Sequence, residues 1–358
     1  MMPRTLQKPS KPRAMDPLIW SRLPQELLEL VLSFLPLKTF LNLRSTCKHF
    51  KSLIFSPFFM SKHLSSSSSF SSFILLSHPQ CYHHFPIYET TVGSWRYMLP
   101  RAALSSTLLS ISNGLLCFSL HNSSSFLVCN LLSKSSRKIK FPNHPIAFDS
   151  LTLVSTPYGY HIFMLCSKFS FVYDSRVHSW QKYDALEPFL CGNHQEGVLF
   201  NRCLYFTTPE PFSLVSFDLE RGKWERSNAE LPNELTFVRL VSDGEGRLYL
   251  IGGIGRNGIS RSLKLWELGD TGSWIEVETL PDMICRKFMS VCYHNYEHVY
   301  CFWHQGMVCV CCYTWPEVLY YKVPRRTWHW LPKCPSLPDK WSCGFRWFSF
   351  VPELYALV

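Results

Sequence analysis

Two hydrophobic rhythms divide this chain. From Leu23 to Leu35 the period is helical: seven of the nine residues from Leu27 to Leu35 are apolar, and the polar Glu26, Glu29 and Ser33 are spaced by three and four. Pro24 suits a first helical position, where its missing N–H is not needed. Gln25, Glu26 and Glu29 bring acceptors and negative charge to the positive end of the helix dipole, and Pro36 stops the helix. Between Leu37 and Phe55, Phe40, Leu41, Leu43, Cys47, Phe50, Leu53 and Ile54 continue at helical spacing. The pattern predicts a small all-α domain over residues 17–63. A unit of about 45 residues is too small to enclose this much apolar surface, so a partner is expected to cover the surplus.

After a serine-rich stretch (Ser65–Ser69, then Ser71 and Ser72) the rhythm changes, and no sustained helical period is expected beyond it. Short apolar runs alternate with turn clusters: Leu115–Phe118, His161–Leu165, Cys203–Phe206, Arg247–Ile251 and His298–Trp303. A second set follows them, in which an aromatic precedes a Trp: Tyr173 and Trp180, Phe217 and Trp224, Trp266 and Trp274, Tyr321 and Trp328. The offset is 7 residues in three pairs and 8 in the Trp266 pair, and the Trp positions lie 44, 50 and 54 residues apart. Leu127–Asn130 followed by Arg137 reads as a weaker copy with Arg in the Trp slot. Two strand signals in each unit of about 40–50 residues are the mark of propeller blades. A single blade cannot cover its own apolar faces, so neighbours must cover them and the ring must close. Roughly 280 residues at about 45 per blade give about six blades. The Tyr-Asp-turn-Trp piece is read as an outer hairpin whose Trp wedges between blades. Phe348–Val351 or Leu354–Leu357 is the candidate closing strand, and which terminus supplies it stays open.

The organisation is therefore multidomain: a basic tail over 1–16, the helical domain over 17–63, a Ser-rich linker over 64–80 and an all-β propeller over 81–358. Composition agrees. Hydrophobic residues are 46% of the chain and charged residues 17%, so most of it can bury a core. The net charge of +10 is uneven: residues 1–63 hold 10 Lys/Arg against 3 Asp/Glu, leaving 26 against 23 for the rest. The basic excess favours an acidic partner for the helical domain. Nucleic acid is not expected, because no basic helix or interleaved basic and aromatic surface is legible. The first 13 residues lack an apolar signal region and no run of about 18 apolar residues occurs, so no membrane association is expected, the 15 Cys are read as reduced thiols, and the nucleus and/or cytoplasm is the expected location.

The helical segment resembles a known family. Leu23-Pro24-x-Glu26-Leu27-Leu28, Val31-Leu32-x-x-Leu35-Pro36-Leu37-Lys38, Leu41-x-Leu43-Arg44-Ser45-Thr46-Cys47-Lys48 and Phe50 are similar to an F-box, most of all to that of plant F-box/kelch proteins, where a Trp (here Trp20) precedes the Leu-Pro pair. Thr46 and Phe50 depart from the usual Val and Trp but roughly keep their shape or apolarity. Gly246–Gly253, followed by Trp266 and Trp274, is similar to a kelch repeat with its double glycine after a strand, and Asn113–Phe118 resembles the opening strand of plant F-box-associated propellers.

The resemblance implies a substrate-recognition subunit of a Skp–Cullin–F-box ubiquitin ligase. It implies docking of an acidic Skp-family adaptor, and through it a cullin, by Leu23, Pro24, Leu27, Leu28, Val31, Leu32, Leu35 and Pro36, with a client protein on the propeller. A non-degradative interaction scaffold is the alternative, and an enzyme on a propeller frame a more distant one.

Candidate chemistry is sparse. Cys309, Cys311 and Cys312, with Cys292, Cys301, His298 and His304 nearby, invite a metal reading, but Cys309 and Cys311 alternate in an apolar run rather than pairing on turns, so buried thiols are expected. Gly252-Gly253-x-Gly255 has no following helix to present to a phosphate and is read as a turn. No catalytic residue, cofactor or metal is assigned. Client-facing loops are expected within 142–150, 186–197, 208–213, 254–262 and 304–307.

Overall fold

The computed structural model describes residues 22–35, 39, 42–43, 46–53, 56–66, 71–81, 84–99, 106–120, 123–142, 148–184, 195–244, 246–292, 295–337 and 342–358. It divides into two units, Met1–Phe70 and Ser71–Val358.

In the first unit, α1 (Gln25–Ser33), α2 (Lys48–Ser52) and α3 (Pro57–Ser66) are described. Helix α1 begins one residue later than expected, because Pro24 holds the N-cap with ψ 145° and accepts from the Leu27 and Leu28 amides. Pro36, the expected stop, lies outside the described residues. Leu32, Leu53 and Phe59 form the core where α1 meets α3, and the buried His63 ring stacks on Phe59 at 5.5 Å.

The second unit is a six-bladed propeller of four-stranded antiparallel sheets. Blade 1 is built from both ends of the unit: β1 (Phe73–Ser77), β2 (Phe85–Glu89) and β3 (Ser94–Met98) are joined by β24 (Arg346–Phe350). Blades 2 to 6 are consecutive quartets, starting at β4 (Ser106–Ser112), β8 (Ser150–Thr156), β12 (Val198–Phe200), β16 (Leu235–Ser242) and β20 (Val299–His304). These five strands and β24 form the inner wall, with neighbours in contact between blades 1 and 2, 2 and 3, 4 and 5, 5 and 6, and 6 and 1. Strand β24 pairs with β1 from Phe73↔Phe350 to Ser77↔Arg346, so the first of the two candidate closing segments closes the ring.

The expected linker over 64–80 is shorter than that reading. Helix α3 runs through Ser66 and β1 starts at Phe73, with Ile74, Leu75 and Leu76 fully buried. Serine richness masked a helix end, and the apolar run after it belongs to the first blade rather than to a linker ahead of residue 81.

The aromatic-to-Trp offset has a physical cause. A four-residue turn joins the third and fourth strands, so residues seven apart stand directly opposite: Tyr173↔Trp180, Phe217↔Trp224 and Tyr321↔Trp328. Tyr88↔Trp95 in blade 1 is a further copy at the same seven-residue offset. Ring centroids in the four pairs lie 4.9 to 5.3 Å apart. Trp266 and Trp274 are not such a pair, because a register shift puts Trp266 opposite Glu276 and Trp274 opposite Leu268. Arg137 is not in the Trp slot either. It opposes Val128, and Ser136 fills the equivalent position opposite Cys129. Two of these indoles do wedge between blades: Trp180 Nε1 donates to Lys140 O at 2.9 Å and Trp224 Nε1 to Ser170 Oγ at 3.3 Å. Phe163 of blade 3 is fully buried against Phe206, Phe217 and Trp224 of blade 4. Phe163→Ala is expected to cost about 3–5 kcal/mol in chemical denaturation, since the gap between two rigid sheets cannot collapse.

Three further expectations are corrected. Gly252 and Gly253 lie inside β17 (Leu248–Arg256), not on a turn after a strand. They are glycines because a Cβ on Gly252 would sit 2.8 Å from Phe237 O, and one on Gly253 2.5 Å from Thr236 Oγ1. Asn113-Gly114 is the turn between β4 and β5 (Leu115–Leu120), so the strand after it is second in its blade rather than the opening one. A helix also follows the linker: α4 (Asp282–Cys292) lies between β19 (Trp274–Thr279) and β20 and buries Cys285, Phe288 and Cys292 at i, i+3 and i+7 against blades 5 and 6. One three-turn insertion among 24 strands leaves no sustained period to notice.

Candidate functional site

Helix α1 presents its faces in an unusual way. Its polar residues Glu29 and Ser33 are buried, while Leu27, Val31 and Phe34 are 50%, 43% and 67% exposed. Each of these two buried polar groups is hydrogen-bonded. Gln25 Nε2 donates to Glu29 Oε1 at 2.9 Å, Ser56 Oγ donates to Glu29 Oε2 at 3.4 Å, and Ser33 Oγ donates to Leu30 O at 2.7 Å. Ser56 Oγ also accepts from Phe59 N, so Glu29 braces the start of α3. With the inner face used this way, Leu27, Val31 and Phe34 follow at i, i+4 and i+7 as one outward stripe, continued upstream by the exposed Pro24. The stripe is oily, shallow and carried on a rigid helix, which suits it to cover by another protein.

Of the expected adaptor contacts, Pro24, Leu27 and Val31 are exposed, and Leu23, Leu28 and Leu35 are half-buried. Leu32, at 6% exposure, belongs to the helical core and is not on the outer stripe. Pro36 lies outside the described residues. Phe34, the most exposed apolar side chain of α1, was missed, although its spacing from Leu27 and Val31 was legible. Exposed Phe58 of α3 adds a further apolar ring, with Lys62 Nζ 6.0 Å above it. Burial pulls the His63 imidazole below its ordinary pKa, opposed by a hydrogen bond with the Leu35 backbone.

The cysteine cluster of blade 6 is packing material. Cys309 and Cys311 point to one face of β21 (Met307–Cys312), into the core between blades 6 and 1. Cys312 points to the other face, where it meets Cys292 of α4 by a thiol hydrogen bond. Burial pushes the Cys309 and Cys311 thiols well up. The buried His304 ring bonds Ser349 Oγ through Nδ1 at 2.9 Å, and burial pulls it down to about 4, so it is neutral. Among the described residues no cluster of three or more His, Cys, Asp or Glu is placed to hold a metal, and no helix is long and apolar enough to cross a membrane.

Strand alternation sorts the candidate client loops. Connections between second and third strands, and from blade to blade, share one rim; those between first and second strands lie on the other. The described parts of the first two segments (142, 148–150 and 195–197), together with 208–213 and 254–262, therefore share a rim, and 304–307 lies on the opposite one. Residues 143–147 and 185–194 are outside the described set. The 254–262 segment is a hairpin rather than a loop, with only the Asn257-Gly258 turn between β17 and β18 (Ile259–Leu268). The 208–213 connection is closed by Thr208 and Ser213, whose amide donates to Thr208 Oγ1 at 2.8 Å.

Residues 20–62 match the F-box domain family. The chain is 55% identical over 369 residues to the F-box/kelch-repeat protein At5g43190 of Arabidopsis thaliana, a match that covers 98% of this chain and 91% of that one. It is 27% identical over 338 residues to F-box only protein 6 of the same plant, covering 89% of this chain and 71% of that one. It is 25% identical over 361 residues to the Arabidopsis Protein UNUSUAL FLORAL ORGANS, covering 90% and 80%. With an F-box ahead of a six-bladed ring and this identity along nearly its whole length, the chain belongs to the plant F-box/kelch-repeat family, whose members generally act as substrate adaptors rather than as enzymes.

Proposed function

We propose that this protein is the client-selecting subunit of a Skp–Cullin–F-box ubiquitin ligase in the nucleus or cytoplasm. The observation that carries the reading is the reversal of α1, with Glu29 and Ser33 inside and Leu27, Val31 and Phe34 outside. With Glu29 held inside by its hydrogen bonds, the oily side chains that face water are the uncompensated cost for an isolated protein, and burying the stripe under an adaptor removes it. The net +7 charge of residues 1–63 steers an acidic partner to the same unit. On this reading the polypeptide makes and breaks no bond. It raises the local concentration of a client near ubiquitin-charged subunits, an intramolecular advantage that supplies rate without catalytic groups here.

The test is co-purification of the full chain with a Skp-family adaptor and a cullin, followed by protein abundance after the chain is removed. The expected result is a stable ternary complex and at least one propeller-bound protein that accumulates on removal. A complex without any accumulating client would favour a non-degradative scaffold. Absence of the adaptor from the purified material would refute the ligase assignment.

A further inference from the structure

The channel through the ring is not a through-pore. Residues 195–197, which lead into β12 of blade 4, cross it and bond the inner wall of every other blade. Gln195 Nε2 donates to Cys301 O at 3.1 Å in blade 6 and to Leu240 O at 3.5 Å in blade 5, and Gln195 Oε1 accepts from Cys301 N at 2.8 Å. Glu196 Oε2 accepts from Ser110 Oγ of blade 2 at 2.5 Å, and Glu196 Oε1 faces Arg346 Nη2 of blade 1 at 3.5 Å. Gly197 N donates to Thr152 Oγ1 of blade 3 at 2.8 Å. The plug arrives from one rim and leaves a cup of about 660 Å³ that reaches the other. The turns at Asn113, Gly244 and Gly306 stand at its mouth, with Trp303 on its wall. The volume is in the range of sites that enclose a small ligand or a slender chain end.

Arg346 sets the chemistry of the cup floor. A guanidinium carries five donors, and the hydrogen bond given above is long and single where a bidentate pair at under 3 Å is the usual strong arrangement. Both partners keep about a quarter of their side-chain surface exposed, at 25% for Arg346 and 24% for Glu196, and both line the cup as well as a smaller cavity beside Asp149. The Phe348 ring, 5.3 Å away, backs the cation without using its in-plane donors. Glu196 is a compromised counter-ion. Burial pushes its carboxyl up to about 7, against the opposing pull of Arg346 and Ser110, so near neutral pH it is ionised only part of the time. The other titratable groups around it are the Asp243 carboxylate, which lines the cup itself beside the Gly244 turn, the Asp149 carboxylate of an adjoining cavity, and the buried Cys117 thiol, itself raised.

We propose that the cup is a binding site for a compact oxyanion, a carboxylate or a tetrahedral oxyanion of the phosphate type, which takes a bidentate seat on Arg346 while Glu196 accepts a proton and withdraws as its counter-ion. The proton balance fixes the sign. An arriving anion adds negative charge beside Glu196 and occupies its cation, so the protonated form is favoured in the complex and binding takes up a proton from solvent. Affinity therefore rises as pH falls through about 7, by roughly tenfold between pH 8 and pH 6 for one coupled proton. The site goes beyond the ligase reading and does not rest on it, because it lies wholly within the propeller.

The experiment is titration calorimetry of the full chain with sulfate and, separately, with acetate, both ionised throughout the window, at pH 6 and pH 8 and in two buffers of different ionisation enthalpy. Binding of either anion, stronger at pH 6 and accompanied by proton uptake, is the expected result. Sulfate alone would assign a phosphate-type ligand, and acetate alone a carboxylate-bearing one. Arg346→Gln should abolish binding, Arg346→Lys should weaken it while keeping its pH dependence, and Glu196→Gln should bind with no pH dependence. Adaptor co-purification should be unchanged in all three, which separates failure here from failure of the ligase reading. Neither anion binding to a folded wild-type chain, or binding unaltered by Arg346→Gln, would overturn the proposal.

Discussion

A chain carrying Leu27→Asp together with Phe34→Asp is expected to lose on the order of 100-fold or more of its affinity for a Skp-type adaptor. Both side chains already face water, at 50% and 67% exposure, so the substitutions remove little internal packing. They put two charges where a partner must exclude solvent, and a buried unpaired charge costs more than the lost contact. Pull-down with purified adaptor reads the loss, and an unchanged thermal transition of the propeller shows that the chain still folds. Leu32→Ala is the contrast. Its side chain belongs to the core between α1 and α3, so the expected effect is a destabilisation of about 2–5 kcal/mol, visible as faster amide exchange over 25–66. If the double aspartate variant still captured the adaptor at wild-type strength, the outward stripe would not be the docking surface.

Ending the chain at Gly344 is expected to destroy the propeller as a cooperative unit. Strand β24 supplies the inner strand of blade 1, and without it β1 loses every ladder partner from Phe73 to Ser77 on that edge. Trp347 leaves the core between blades 6 and 1, and Phe348 and Phe350 leave the core between blades 1 and 2. At about 1.5–3 kcal/mol for each large apolar side chain, these three alone approach the whole stability of an ordinary domain, about 5–15 kcal/mol. The open ring would also expose two inner faces and a strand edge, which favours aggregation. Removing only residues 351–358 is expected to be milder. It deletes the buried Leu354 and the carbonyls of Glu353 and Ala356, which accept from Asn130 Nδ2 at 2.8 and 3.0 Å. Circular dichroism and denaturant melts distinguish the two truncations. A sharp transition of native slope in the 1–344 chain would show that closure by β24 is dispensable.

What was legible came from interactions between near neighbours in the chain. The Tyr173–Trp180 and Phe217–Trp224 spacings mark outer hairpins because a four-residue turn leaves residues seven apart face to face. The second strands, such as β9 (Gly159–Leu165) and β17, stand out because they are buried on both faces and read as continuous apolar runs. The inner strands were harder to see. Strand β12 is three residues long, and β4 and β8 are interrupted by Ser and Thr whose partners, such as Ser110 with Glu196 and Thr152 with Gly197, lie in other blades. Helix α1 was legible but the face it buries was not: Glu26 is exposed while Glu29 and Ser33 turn inward beside Leu32, although a polar stripe on an amphipathic helix is ordinarily the wet one. Glu29 departs from that rule because Gln25, one turn away, and Ser56, 27 residues away, donate to its two carboxylate oxygens.

By itself, then, the amino-acid order determined the helical and strand periods, the blade repeat of about six units and the excess of oily surface near the start. The periods depend on residues within one or two turns of chain, and the repeat on the recurrence of such local patterns along it. Tertiary structure alone decided which face of α1 is wet, that the last strand closes the first blade, and that Gln195 and Glu196 plug the ring. Those outcomes depend on groups that meet only after the chain has circled back on itself, where local spacing carries no information about who stands opposite whom.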